Sequence, residues 1–394
     1  MQAKVGVGWA DFRASPDQEV RGFVGLNLLY ATLVSHNMDE AAEIVSEHEI
    51  RKYDRSNILG DYRRWPALAQ EALEREASAV DFSDINHVVL CGMGGSAASC
   101  DVVREWLDDV DVVVVKDYHL PKWAGGRDLV IAVTYSGNTE ETLSCYSEAL
   151  KRGMPLVTIS SGGTIEVSSR KRGVPHNKVS SGLAPRAAFP LLFYTLVEVL
   201  RKMDIVCSRR FEEAKSSAKM LDFYSRRIFP EVPLKENISK QVASFIYQEI
   251  PKVYGSERIR CAVERFRRMI SENGKWHAMS DVLPELCHNE IVSYIIGNPR
   301  LRIILMRTKS DPLEISKRFD IVKEIFLKSQ HKVMELMPEG SSLLDFIISY
   351  FYFLDVATVY LAIKNRQEPA KTENIDYLKE RLGRELNYVS KLSL

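Results

Sequence analysis

Four short apolar runs set the strongest limit on how this chain can fold: HVVLCG at 87–92, VDVVVVK at 110–116, LVIAVT at 129–134 and PLVTIS at 155–160. They are rich in β-branched residues, and helical periods lie between most of them, near 98–107 and 140–152. A strand that is apolar throughout, instead of at alternate positions, is covered on both faces, and intervening helices supply the cover. A parallel sheet between two helical layers is therefore expected. FPLLFYTLVEVL at 189–200 reads as a largely buried helix closing this unit.

The same alternation returns later. PKVYGS at 251–256, LRIILMR at 301–307 and HKVMELM at 331–337 read as strands, with helical stretches at 259–270 and 312–328. Between the two series, residues 208–228 carry a charged pattern expected of an exposed bridging helix, and FPEVP at 229–233 breaks it. The first strong helical pattern is 62–77, and residues before it show no clear period. The expected organisation is α/β: an N-terminal or peripheral segment at 1–57, with Met38 as an alternative start, then an α/β/α domain at 58–228 and a second at 229–394.

Composition excludes several classes of partner. The 53 basic and 53 acidic side chains cancel, with no long block of one sign, so neither nucleic acid nor an anionic membrane surface is favoured. Cys91, Cys100, Cys145, Cys207, Cys261 and Cys287 are far apart and form no C-x-x-C pair, as expected of small buried residues in a reduced, cytoplasmic protein without a metal centre. Residues 1–20 mix charges into what a secretory signal would keep apolar. The apolar stretch 343–363 has spanning length but contains Asp345 and Asp355, so a buried helix is expected instead, compatible with a subunit interface.

The turn GMGGSAA follows the first strand and opens a helix. Gly92, Gly94, Gly95 and Ser96 let backbone N–H groups approach an anion at a helix N-terminus. The turn also satisfies G-x-G-x-x-A, and Asp117 follows twenty residues after Ala97, so a dinucleotide site and a phosphate site stand about even on this turn alone. The loop TYSGNTEET at 134–142 decides between them. Thr134, Ser136, Thr139 and Thr142 offer hydroxyls around Gly137 and Asn138, which suits a phosphate dianion that needs donors from several directions. Helix capping accounts for Thr139 and Thr142 but not for Ser136, Gly137 and Asn138 together.

These loops resemble the hallmark pair of the sugar isomerase (SIS) domains, which bind phosphosugars in enzymes and in transcriptional regulators alike. The resemblance implies phosphate contacts from Gly94, Gly95, Ser96, Thr134, Ser136 and Thr139.

The second half carries ISENGKWHAMSDVLPELCHNEIVSY at 270–294, which reads as a loop and helix start facing a site. Glu285 and Glu290 read as surface carboxylates and His277 as an ordinary helix residue. Through E-N-x-K and E-L-x-H-N-E this segment resembles the two-domain bifunctional phosphoglucose/phosphomannose isomerases, built from tandem SIS domains. The resemblance implies Glu272 as the proton-moving base and His288 as a helper in ring opening, supplied across the interface of a homodimer. GLAPRAA at 182–188 would make Arg186 the active-site arginine, and PAKTENIDYLKERL at 369–382 would place the catalytic lysine at Lys379 and a selectivity threonine at Thr372. Cys287 stands where asparagine is common in that family and Thr134 where serine is common.

The residue types fit the implied reaction, which interconverts glucose 6-phosphate or mannose 6-phosphate with fructose 6-phosphate without cofactor or metal. One carboxylate can carry a proton between C2 and C1 of an enediol. With no metal-ligand cluster in the sequence, a fixed cation such as Arg186 must stabilise the enediolate. An imidazole such as that of His288 can both give and take a proton, and Lys379 can donate to a sugar oxygen, as ring opening requires. A non-catalytic phosphosugar sensor and a nicotinamide dehydrogenase are the alternatives. The first leaves Glu272, His288 and Lys379 without a purpose, and no basic helix-turn-helix segment accompanies it.

Overall fold

A computed structural model of the chain describes residues 45–82, 84–392 and 394, so most of the expected segment 1–57, with Met38, lies outside the described residues. In the first half, α1 (Glu47–Tyr53), α2 (Ile58–Arg63) and α3 (Trp65–Glu74) precede β1 (Val88–Cys91). Then come α4 (Gly94–Trp106), β2 (Val112–Val115), β3 (Leu129–Val133), α5 (Glu140–Lys151), β4 (Leu156–Ser160), α6 (Gly163–Arg172), β5 (His176–Lys178), α7 (Phe189–Lys202) and α8 (Ser208–Ser225). The second half contains α9 (Ile238–Ile246), β6 (Ile250–Ser256), α10 (Arg260–Glu272), β7 (Met279–Leu283), β8 (Leu301–Met306), α11 (Leu313–Lys328) and β9 (Lys332–Leu336). Two helices end the chain, α12 (Leu343–Lys364) and α13 (Glu373–Leu386).

Both sheets are parallel, with strand orders β2-β1-β3-β4-β5 and β7-β6-β8-β9. The second repeats the order of the first without a fifth strand, and helices flank both, which is the α/β architecture expected. β1 pairs with β2 on one side and β3 on the other, so the chain reverses its winding between β1 and β3. In open α/β sheets the loops leaving the carboxyl ends of such a strand pair diverge and leave a crevice for a ligand. The crevice here lies between the turn after Cys91 and the loop after Val133.

One continuous hydrophobic core runs through both halves, and α12 is its axis. Leu344 through Ile363 are all buried, and among the described residues this is the one helix long and apolar enough to cross a membrane. Its two acids are both engaged. Asp345 closes a capping box with Ser342, and Asp355 pairs with Arg265. Trp65 stacks on Tyr352 at 5.1 Å, joining α3 to α12 across the sequence midpoint. A buried side chain of this size contributes about 1.5–3 kcal/mol, so the shared core ties the two sheets firmly together.

Several elements differ from expectation. α8 is no free bridge, because Ala214, Leu221 and Tyr224 bury one face against the core. Helix also starts earlier than the period at 62–77, since Ser46 and Glu49 form a capping box that starts α1 beside buried Val45. Segment 270–294 holds a helix end, the edge strand β7 and two short helical turns, and His277 lies in the connection before β7, not in a helix. MSDVL lacks a continuous apolar run because an edge strand is only half covered. Glu290 is no plain surface acid, for it pairs at 2.5 Å with buried Lys252.

Candidate active site

The crevice above β1 and β3 is built by close backbone approach. A Cβ on Gly95 would lie 2.9 Å from Arg186 Cα, so this position admits only glycine and lays the turn against the arginine loop. Gly137 has φ 72°, and a Cβ there would collide with Gly162 O. Ser96 Oγ accepts a hydrogen bond from Tyr135 N at 3.1 Å, joining the two loops. The hydroxyls of Thr134 and Thr139 lie 3.0 Å apart, with Thr134 buried, whereas Gly94 and Ser136 face solvent. Neither α4 nor α5 has a side-chain cap on its first turn, so the positive ends of both helices open toward the crevice.

Arg186 extends from the turn beside Gly95 and is almost fully buried. Its Nη1 donates to Glu272 Oε1 at 3.0 Å, its Nη2 to Pro369 O at 2.8 Å, and its Nε to Asn273 Oδ1. Glu272 is the last residue of α10 and keeps 27% of its side chain exposed. Asn273 is fully buried and in turn donates to Tyr62 Oη and Thr358 Oγ1, each at 3.0 Å. Beneath them Arg265 forks onto Asp355 at 3.1 and 2.6 Å, donates to Arg186 O at 3.0 Å, and lies over the rings of Phe351 and Phe189. Burial pushes the Asp355 carboxyl up, and Arg265 opposes that shift. Arg265 Nη1 is buried without a hydrogen-bond partner, so the pair is held by the other two nitrogens and by the rings it lies over.

A cavity of about 590 Å³ opens on the exposed side of Glu272, and Lys275 and Thr372 also line it. Lys275 Nζ donates to the carbonyls of Glu272, Pro369 (2.9 Å) and Lys371 (2.6 Å). Burial, followed by the charge of Arg186, lowers this lysine to about 8. Thr372 precedes α13 without a side-chain bond to its first turn, and its hydroxyl donates to Asp376 Oδ2 at 3.3 Å.

The sequence-predicted residues therefore fall into three groups. Gly95, Arg186 and Glu272 are joined by the contacts above, and Thr372 shares the cavity wall with Glu272, whereas Gly94, Ser96, Thr134, Ser136 and Thr139 gather at the crevice and do not line that cavity. His288, in the turn after β7, and Lys379, on α13, are exposed and do not line the cavity. Asn273, Lys275, Arg265 and Asp355 carry much of the site's geometry, yet motif reading assigned them no role. For Asn273 and Lys275 the only sequence signal is their place within ENGK. Asp117, the residue a dinucleotide ribose would need, is exposed, and its carboxylate accepts from Tyr118 N. Among the described residues, no three His, Cys, Asp or Glu side chains gather to hold a metal ion.

The family model for the bacterial phospho-glucose isomerase C-terminal SIS domain matches residues 235–382. The chain is 33% identical over 313 residues to the bifunctional phosphoglucose/phosphomannose isomerase of Caldicellulosiruptor bescii, covering 77% of this chain and 91% of that one. It is 32% identical to the protein of the same name from Aquifex aeolicus, covering 78% and 94%. Among solved structures, a hypothetical protein of Thermus thermophilus superposes with a TM-score of 0.65 at 16% identity, over 86% of this chain and 93% of that one. That last likeness speaks to the fold alone.

Proposed function

Because the chain belongs to the bifunctional phosphoglucose/phosphomannose isomerase family, we propose that it interconverts glucose 6-phosphate and mannose 6-phosphate with fructose 6-phosphate. The observation that supports this reading is the contact chain in which the Gly95 turn abuts Arg186 and Arg186 donates to part-exposed Glu272. The turn at 94–96 and the loop at 134–139 take the phosphate, the inert end of the substrate. Glu272 takes the proton from one of C1 and C2 and returns it to the other. The negative oxygen formed in between is stabilised by Arg186, whose bonds to Asn273 and Pro369 leave its charge no freedom to reorient. Catalysis of this kind needs no metal.

Ring opening is assigned to His288 and Lys379, with His288 provided by a second copy in a homodimer. Support for the pairing comes from Val292, Ile295 and Ile296, which follow His288 in sequence and are 65%, 83% and 80% exposed, an apolar surface that association would cover. Thr372, beside Glu272 on the cavity wall, is assigned to tolerance of both sugars. A cytoplasmic location accords with this substrate and with the buried setting of α12.

The deciding experiment supplies purified protein with fructose 6-phosphate and follows glucose 6-phosphate and mannose 6-phosphate separately, with and without chelator. Formation of both, unaffected by chelation, is expected. Formation of neither refutes the isomerase reading, and loss under chelation refutes the metal-free chemistry.

A further inference from the structure

The roles above leave Lys275 out, although it stands beside Glu272. Its backbone is in the left-handed region at φ 53°, which turns the side chain back toward the end of α10. An ammonium has three N–H groups, and all three find carbonyls: Glu272 at the end of α10, and Pro369 and Lys371 in the connection between α12 and α13. No N–H is left over for substrate. The connection needs such a tie. Residue 372 and all of α13 follow directly from it, and no residue of α13 is buried. At the far end the chain is held again, where Tyr388 Oη meets Ser144 Oγ at 2.8 Å and its ring meets Tyr118. α13 is thus a strap fastened at its two ends, and Lys379 lies midway along it.

We propose that Lys275 is a positioning residue that clips this strap to the base, setting Thr372 and the Lys379-bearing helix in register with Glu272. The clip rests on the isomerase reading for its purpose, but not for its geometry. A cation suits the place because the carbonyl end of α10 is the negative end of that helix. The charges around Nζ act in both directions. Arg186 disfavours its protonation, and Glu272, Glu368 and Glu373 favour it, while Lys371 neutralises part of Glu373 and Lys52 and Arg55 line the same cavity. The side chain is therefore charged at neutral pH and loses a donor as pH rises past about 8.

The test uses full-length wild type, Lys275→Met and Lys275→Arg. Turnover of fructose 6-phosphate is measured from about pH 6 to 10, with hydrogen exchange of residues 369–386 measured alongside. Lys275→Met is expected to lower kcat about 10²-fold, the effect of misplacing groups by about 1 Å, with KM within about threefold because the cradle is untouched. Exchange of 369–386 should rise in that variant. Wild-type kcat should fall above about pH 8, and Lys275→Arg should restore turnover and move that fall to higher pH. Wild-type kcat in Lys275→Met overturns the proposal, as does a kcat loss with unchanged exchange. If the wild type does not turn over fructose 6-phosphate, the isomerase reading fails, and the exchange measurement still decides whether the clip exists.

Discussion

Arg186 and Glu272, the proposed cation and base, differ in burial. Arg186 is sealed between Asn273, Pro369 and the turn at Gly95, whereas Glu272 keeps one side open to the cavity. Sealing a guanidinium costs several kcal/mol unless its donors are used, and here three directions are used. Glu272→Gln separates the two roles, because the amide oxygen still accepts from Arg186 but the side chain no longer takes a proton. Its kcat should fall by at least about 10³-fold, with the affinity for fructose 6-phosphate in titration calorimetry changed by less than about fivefold. Retained turnover would remove Glu272 as the base.

α10 is positioned from both ends. At its start both carboxylate oxygens of Glu105, on α4, accept from Cys261 N at 2.8 and 2.9 Å, so the first half of the chain caps the helix that carries Glu272. Burial raises Glu105 from 4.5 to about 7, against the pull of that cap. Between those two values the folded protein holds a proton that the unfolded chain has released, so stability falls as pH rises through that window, by about 3 kcal/mol at most. Glu105→Gln removes this contribution. Its urea midpoint, compared with wild type at about pH 5 and 7.5, should decline less on the alkaline side, and parallel declines would exclude Glu105 as the source. The pairing of α4 with α10 is invisible in sequence, since Glu105 and Cys261 belong to different halves and neither lies in a motif.

At the scale of the molecule, the two ring-opening candidates are surface residues of a single chain. The proposed dimerisation through the face around His288 would give that histidine a site to serve, and complementation tests it. Glu272→Gln and His288→Ala should each be inactive alone. Mixed and reassociated, they should recover about a quarter of wild-type turnover, because half the dimers are mixed and each mixed dimer has one intact site. No recovery, with exchange of subunits demonstrated, would place His288 on its own chain's site or outside catalysis.

Local patterning foretells the two parallel sheets apart from their edge strands β5 and β7, the buried α12, the turn after β1 and the loop after β3, because apolar runs and glycine turns act over a few residues. Arg186, Glu272, His288, Lys379 and Thr372 were legible as motif members, with no indication of which would meet. Folding alone brings Arg186 and Glu272 into a hydrogen bond across 86 residues, sets Asn273 and Lys275 beside them, and supplies the partners of Asp345 and Asp355, the Ser342 cap and Arg265. Those facts depend on burial, and the cost of burying a charge is settled only by partners brought from distant parts of the chain.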